Sequence, residues 1–187
     1  MEAIRLDLPG VVQITPRRFV DERGFLAETY SERGLAQIGI EVPFVQDNHS
    51  LSRRAGTIRG LHFQTPPHAQ AKLVRVISGA ILDVALDLRH GSPGFGKHVA
   101  VTLSAATGTQ LFVPEGFAHG FCTLEPDTQV IYKLSRPYRA ASDAGVFWND
   151  PALGIAWPVD ASAAILSDKD LTLPLLADLP AYFRFSG

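Results

Sequence analysis

Short apolar or alternating segments recur through the middle of the chain, at 44–50, 57–64, 72–78, 81–88, 97–103, 110–113, 119–124 and 129–135. Turn-forming clusters separate most of them, among them Ser78-Gly79-Ala80, His90-Gly91-Ser92-Pro93-Gly94 and Glu125-Pro126-Asp127. Many short strands closed off by Gly and Pro leave few solutions besides a sandwich or barrel, because each half-apolar strand must bury one face against another layer. A run at 11–14 predicts a further strand, and 25–30 another after the turn Asp21-Glu22-Arg23-Gly24. Residues 31–38 predict a short helix capped by Ser31 and weakened by Gly34. Beyond 149 the pattern changes: 149–158 is loop-like, and Ser167-Asp168-Lys169-Asp170 can open a short helix with Ser167 or Asp168 as its cap. No repeat or linker divides the chain, so a single domain over 1–187 is expected.

A chain of 187 residues can bury a substantial core without disulfide or metal staples. Its net charge of −2 gives no electrostatic case for nucleic acid, and Arg17-Arg18 and Arg53-Arg54 are isolated pairs rather than a phosphate-tracking stripe. Cys122 is the only cysteine, which excludes an intrachain disulfide and a Cys-based zinc cluster; it reads as a small buried hydrophobe. No segment approaches the length of a membrane span. Met1-Glu2-Ala3-Ile4-Arg5-Leu6-Asp7 carries charges where a signal peptide needs an apolar run. A cytoplasmic protein with no nucleic-acid or membrane partner is expected.

Two stretches break the apolar pattern with charge. The first is Gly56-Thr57-Ile58-Arg59-Gly60-Leu61-His62-Phe63-Gln64, with Lys72 opening the next strand; the second is Gly108-Thr109-Gln110-Leu111-Phe112-Val113-Pro114-Glu115-Gly116-Phe117-Ala118-His119. A charge in strand-like sequence needs a partner or a task. Strict alternation puts Ile58, Gly60, His62 and Gln64 on one face and Arg59 on the other, unless Gly60 marks a bulge that turns Arg59 inward. In 81–88, Asp83 and Asp87 share a face with Ile81 and Ala85, so Asp83 is either paired or inside a cavity. His90 and His98 sit beside turn residues and carry no assignment.

The second stretch has the spacing G-x5-P-x-G-x2-H on Gly108, Pro114, Gly116 and His119, and the first has G-x5-H on Gly56 and His62, closed by Gly79. These spacings resemble the two motifs of the cupin superfamily. In metal-binding cupins the first motif supplies two His and a Glu. Here the second His position is Gln64, no Glu lies between His62 and Gly79, and Lys72 is a cation where a divalent ion needs an anion. The expectation is a cupin without metal or other cofactor. A His–Lys cavity of that kind supports proton chemistry: a neutral imidazole is a suitable base near neutral pH, an ammonium can stabilise a developing oxyanion, and a tyrosine on an opposing strand, Tyr132 being the best placed, can return a proton. That set suits proton abstraction next to a carbonyl, hence racemisation, epimerisation or isomerisation. Arg23 and Arg59 suit an anionic handle such as a diphosphate.

The blocks Asp21-Glu22-Arg23-Gly24-Phe25, Phe44-Val45-Gln46-Asp47-Asn48-His49-Ser50, Arg59-Gly60-Leu61-His62-Phe63-Gln64, Val113-Pro114-Glu115-Gly116-Phe117-Ala118-His119-Gly120-Phe121 and Trp148-Asn149-Asp150-Pro151 occur in one order over nearly the full length. In this the chain resembles the dTDP-4-dehydrorhamnose 3,5-epimerases. The resemblance implies a mainly β, cupin-like jelly-roll barrel with a few short helices, mostly near the C-terminus. It implies metal-free epimerisation at C3 and C5 of dTDP-4-dehydro-6-deoxy-D-glucose in dTDP-L-rhamnose synthesis. It further implies that His62 is the base, oriented by Asp170, that Lys72 stabilises the enolate and that Tyr132 is the acid. Arg23, Glu28, Gln46, Asp47, Asn48, Arg59, His119 and Lys169 match substrate-lining positions, Tyr138 the one that stacks on thymine. Asp143 stands where the family pattern has Glu. Family members are homodimers whose N-terminal segment reaches the partner's site, so Arg23 and Glu28 are expected in trans. Three other readings stand beside this one: a single-site epimerase of another deoxysugar pathway, a metal-dependent cupin, and a non-catalytic sugar-binding cupin.

Overall fold

The recurring segments fold as two antiparallel sheets with the core between them. The computed structural model describes residues 1–185. In chain order the elements are β1 (Glu2–Arg5), β2 (Val12–Thr15), β3 (Arg18–Asp21), β4 (Gly24–Ala27), α1 (Glu32–Ala36), β5 (Gln46–Ser52), β6 (Ile58–Gln64), β7 (Lys72–Ser78), β8 (Ala80–Asp87), β9 (Arg89–His90), β10 (His98–Ser104), β11 (Gln110–Val113), β12 (Phe117–Thr123), β13 (Thr128–Leu134), β14 (Asp143–Gly145), α2 (Asp168–Leu171) and β15 (Phe183–Arg184). One sheet has the order β1-β2-β11-β7-β13-β5 and the other β10-β8-β12-β6-β14. From β5 onward the chain repeatedly crosses between the sheets, which is jelly-roll wiring; the sheets do not close into one continuous barrel.

The alternation of apolar residues decides what each face meets. Val74 and Val76 of β7, Leu111 and Val113 of β11 and Val130 of β13 pack against Ile81 and Ala85 of β8, Leu103 of β10, and Phe117 and Phe121 of β12. Full burial of one such aliphatic or aromatic side chain contributes about 1.5–3 kcal/mol, so this inter-sheet layer is a large part of what holds the two sheets together. The outer face of the first sheet is covered by the helical segment: Leu35 and Ile40 pack on Val12, Ile14, Leu73 and Phe112. The C-terminal third covers the second sheet, where Val146, Leu153 and Phe183 join Leu61, Phe63, Val84, Leu86 and Ala118. That cover explains why β8 is buried on both faces.

Both caps read from the sequence form. The Ser31 hydroxyl accepts from the Gly34 amide at the start of α1, and the Ser167 hydroxyl accepts from the Asp170 amide at the start of α2. Among the described residues the hairpin β3–β4 pairs only with itself. It exposes Phe19, Val20, Phe25 and Leu26, Val20 being 77% exposed, while Arg18 donates to the carbonyls of Ala105 and Ala106. The strand expected at 25–30 ends earlier, at Ala27, and β1, β3, β9, β14 and β15 lie outside the segments that alternation marked. Among the described residues no helix is long and apolar enough to cross a membrane.

Candidate active site

Strands β5, β6, β7, β12 and β13 and the second helix line one opening between the sheets, β5 through Ser50. His62 (β6) and His119 (β12) are register partners in one sheet, Lys72 (β7) and Tyr132 (β13) come from the other, and Asp170 enters from α2. They line a cavity of about 430 Å³. A second lobe of about 200 Å³ shares His62, Lys72 and Tyr132 and adds Asn48, Tyr138, Asp143 and Lys169.

The local fold of β6 brings Arg59 to this cavity. Between β6 and β12 the register slips, with His119 opposite His62 but Phe121 opposite Arg59, so β6 carries one residue more than its partner over this step. Gly60 sits there at φ +133, and a Cβ on it would lie 2.5 Å from Gly120 Cα and 2.9 Å from the His119 carbonyl. Only glycine combines that backbone angle with that close approach. The bulge breaks the alternation, and Arg59 lines the same cavity as His62. Its guanidinium is held by the Ser52 hydroxyl and the Leu51 carbonyl.

His62 Nε2 and Asp170 Oδ1 are 2.5 Å apart, with the imidazole 31% exposed and the carboxylate 3%. Burial pushes the Asp170 carboxyl up, but hydrogen bonds from His62 and Ser167 more than offset it and hold the group below the usual carboxylate range. Lys72 is 8% exposed and donates to the His62 carbonyl at 3.2 Å. Burial draws its ammonium down to about 8, against the pull of Asp83 and Asp143 and with the help of Lys169. The lysine is thus a cation at neutral pH, held in a place where its charge is little screened. On the facing wall the Tyr132 hydroxyl accepts from Asn48 Nδ2 at 3.1 Å. Asn48 Oδ1 in turn accepts from Gln46 Nε2, and Gln46 Oε1 accepts from the Tyr138 amide.

At the outer lobe, Asp143 Oδ2 accepts from the Tyr138 hydroxyl at 3.1 Å and from the Lys169 ammonium. The shorter carboxylate therefore still binds both neighbours. Gln64, at the cupin metal position, is occupied at both ends: its Nε2 donates to the His68 carbonyl and its Oε1 accepts from the Arg139 amide. Among the described residues, no group of three or more His, Cys, Asp or Glu side chains could hold a metal ion.

Of the expected site residues, His62, Lys72, Asp170, Arg59, His119, Tyr132, Asn48, Tyr138, Asp143 and Lys169 line the two lobes, and Gln46 stands behind Asn48. Asp47 does not line either; it binds Lys133 across β5 and β13. Arg23 and Glu28 are exposed on and beside the β3–β4 hairpin, Arg23 paired with Asp21, outside the cavity of their own chain. Two residues carried no site assignment in the sequence. Ser50 lines the larger lobe with its hydroxyl unpartnered. Asp83 lies fully buried, bound to His119; its place in an apolar alternation was the signal for it.

The family model for dTDP-4-dehydrorhamnose 3,5-epimerase matches residues 5–178. A relative of that name from Sinorhizobium fredii is 49% identical over 180 residues, 96% of this chain and 92% of the relative. The crystal structure of the dTDP-4-dehydrorhamnose 3,5-epimerase from Bacillus anthracis, with TDP and PPi bound, superposes with a TM-score of 0.91 at 51% identity, covering 93% of this chain and 98% of the other. The dTDP-6-deoxy-D-glucose-3,5-epimerase from Legionella pneumophila, in complex with dTDP-4-keto-L-rhamnose, reaches a TM-score of 0.94 at 38% identity, covering 100% and 99%.

Proposed function

Since the chain belongs to the dTDP-4-dehydrorhamnose 3,5-epimerase family, we propose how its cavity performs that family's isomerisation: inversion at C3 and C5 of dTDP-4-dehydro-6-deoxy-D-glucose, giving dTDP-4-dehydro-L-rhamnose for dTDP-L-rhamnose synthesis. The observation that carries the assignment of roles is the disposition of His62–Asp170 and Tyr132 on opposite walls of one cavity, with Lys72 on the Tyr132 wall donating to the His62 carbonyl.

His62, its ring held by Asp170, takes the proton from the carbon next to the C4 ketone. The electron pair moves into the C4 carbonyl to form an enolate, and the Lys72 ammonium stabilises the oxygen on which the charge develops. A single well-placed donor of this kind lowers the barrier by about 3 kcal/mol. Tyr132 delivers a proton to the opposite face of the same carbon, which inverts it. His62 gives its proton to solvent and Tyr132 takes one from solvent, which resets base and acid, and the cycle then repeats at the second carbon. Asp170 is a positioning residue that acts through His62. Arg59 and His119 bind the substrate beside the reacting sugar, with Arg59 on the diphosphate. Tyr138, with Asp143 and Lys169, receives the thymine in the outer lobe.

Arg23, Glu28 and Asp47 belong to the same reading only across a subunit boundary or at its rim. The protein is a cytoplasmic homodimer of single-domain chains, and the apolar hairpin β3–β4 is the segment that reaches the partner. Its exposed Phe19, Val20, Phe25 and Leu26 support this.

The test is NMR of the 4-keto-6-deoxyglucose nucleotide in D2O with chelator-treated enzyme. Deuterium is expected at both C3 and C5 with wild type and at neither carbon with His62→Ala. Uptake at one carbon only would place the chain among single-site epimerases. Exchange that survives His62→Ala would overturn the assignment of the base.

A further inference from the structure

The sheet that carries His62 and His119 also holds a buried carboxylate that the epimerisation, as assigned above, leaves without a task. Asp83 projects from β8, is 0% exposed, and has one hydrogen-bond partner, His119, whose Nε2 lies 2.7 Å from Oδ1. Its second oxygen, Oδ2, is buried and has no hydrogen-bond partner among the described residues. Such an arrangement is costly for a fold unless a nearby charge compensates it.

Lys72 is the matching problem on the facing sheet: a buried ammonium with three donors that, among the described residues, makes a hydrogen bond only to a backbone carbonyl. The titratable groups around it are His62 and Asp170 from β6 and α2, His119 and Asp83 from β12 and β8, Tyr132 from β13, and Asp143 and Lys169 at the outer lobe. Three of these are carboxylates. Asp170 is taken up by His62, and Asp143 already carries the Lys169 ammonium. Asp83 and Asp170 each hold an imidazole, but among the described residues only Asp83 keeps a buried carboxylate oxygen with no partner. Its partner His119 is held below the usual imidazole range, by burial first and against the pull of Asp83, which leaves a neutral ring that donates from Nε2.

We propose that Asp83 is a positioning residue for the reaction, the buried counter-charge that keeps Lys72 an ammonium so that it can stabilise the enolate. The inference rests on the reading of Lys72 as the enolate stabiliser. Asp83 acts across the interior without touching substrate. Of the carboxylates that oppose the burial of Lys72, Asp83 exerts the largest pull.

The experiment compares the pH dependence of kcat and KM in wild type, Asp83→Asn, Asp83→Glu and Lys72→Met. In Asp83→Asn the alkaline fall of kcat should move to lower pH by at least one unit, so that turnover near pH 8 drops at least tenfold more than turnover near pH 6, with KM little changed. Asp83→Glu, which restores the charge, should return the alkaline fall toward its wild-type position. An Asp83→Asn profile lowered equally at every pH, or an unmoved alkaline fall, refutes the role and leaves Asp83 a structural residue. Wild-type turnover in Lys72→Met would instead overturn the reading of Lys72 itself. Should neither Asp83 variant fold, 13C NMR titration of the lysine Cε of the wild type, with Lys72 assigned by Lys72→Met, decides. Titration near pH 8 or above supports a compensated ammonium, and titration below pH 7 refutes it.

Discussion

Replacing Lys72 by Met should stabilise the protein while disabling it. The ammonium is drawn from its ordinary 10.5 down to about 8, chiefly by burial, a difference that corresponds to about 3 kcal/mol of cost in the native state. Both the folded and unfolded lysines are protonated below pH 8, so the full cost falls on the native state there. It fades as pH rises from 8 toward 10.5, where the unfolded lysine also loses its proton. Against this stands the lost hydrogen bond to the His62 carbonyl, about 1 kcal/mol. The methionine stem is of similar length and fills the same space. The net expectation is a gain of about 2 kcal/mol at pH 7, a rise in Tm of roughly 4–8 °C for a chain of this size. The turnover should fall about 10²–10³-fold with the loss of the donor. The assay is thermal and urea unfolding of both proteins at one subunit concentration, since association makes Tm concentration-dependent, repeated at pH 7 and above pH 10. A variant less stable than wild type at pH 7, or a gain that persists unchanged above pH 10, would refute the argument that burial of the charge is what the native state bears.

Two further outcomes are expected. Tyr132→Phe should keep deuterium uptake at the carbon acid while inversion slows, because abstraction is assigned to His62 on the other wall; uptake and inversion falling together would mean that the tyrosine is not only the acid. Gly60→Ala should cost at least about 2–3 kcal/mol, since its Cβ would meet Gly120 Cα at 2.5 Å at a backbone angle that alanine rarely adopts; an unchanged Tm would mean that the β6 bulge relaxes freely.

Much of the fold was legible residue by residue. Segments 72–78 and 110–113 coincide with β7 and β11, and both serine caps form, because alternation and capping are local properties. Strands that the pattern did not mark are exposed or too short to show alternation: all of β1 is exposed, β3 pairs with β4 alone among the described residues, and β9, β14 and β15 are two- or three-residue edges, although Phe183 of β15 still reaches the core. The expectation of a barrel was right in its jelly-roll wiring, while closure was not, since closure depends on how the outer edges of the two sheets meet and no local pattern encodes that.

The catalytic grouping divides the same way. From the residues alone came a base, a cation and a tyrosine on strands, without a metal set, and motif order pointed to the family. Asp170 reached His62 in the sequence only through that resemblance, because it lies 108 residues away and arrives by the placement of a four-residue helix. Strict alternation put Arg59 on the other face unless Gly60 made a bulge, and the register slip at Gly60, packed close against Gly120, brings Arg59 to the cavity. Asp83 was visible as a charge in an apolar face, but its partner was not, since it depends on the pairing of β8 with β12, which sets Asp83 opposite Phe121 and leaves His119, two residues along, within reach of its carboxylate. What the sequence determined by itself is what repeats at short range: strand period, turns, caps and the kinds of chemistry its side chains can do. What only the tertiary structure decided is which of those groups share one desolvated space. There burial and the few charges within reach set the protonation of Lys72 and His119, and those interactions depend on distances that local sequence does not carry.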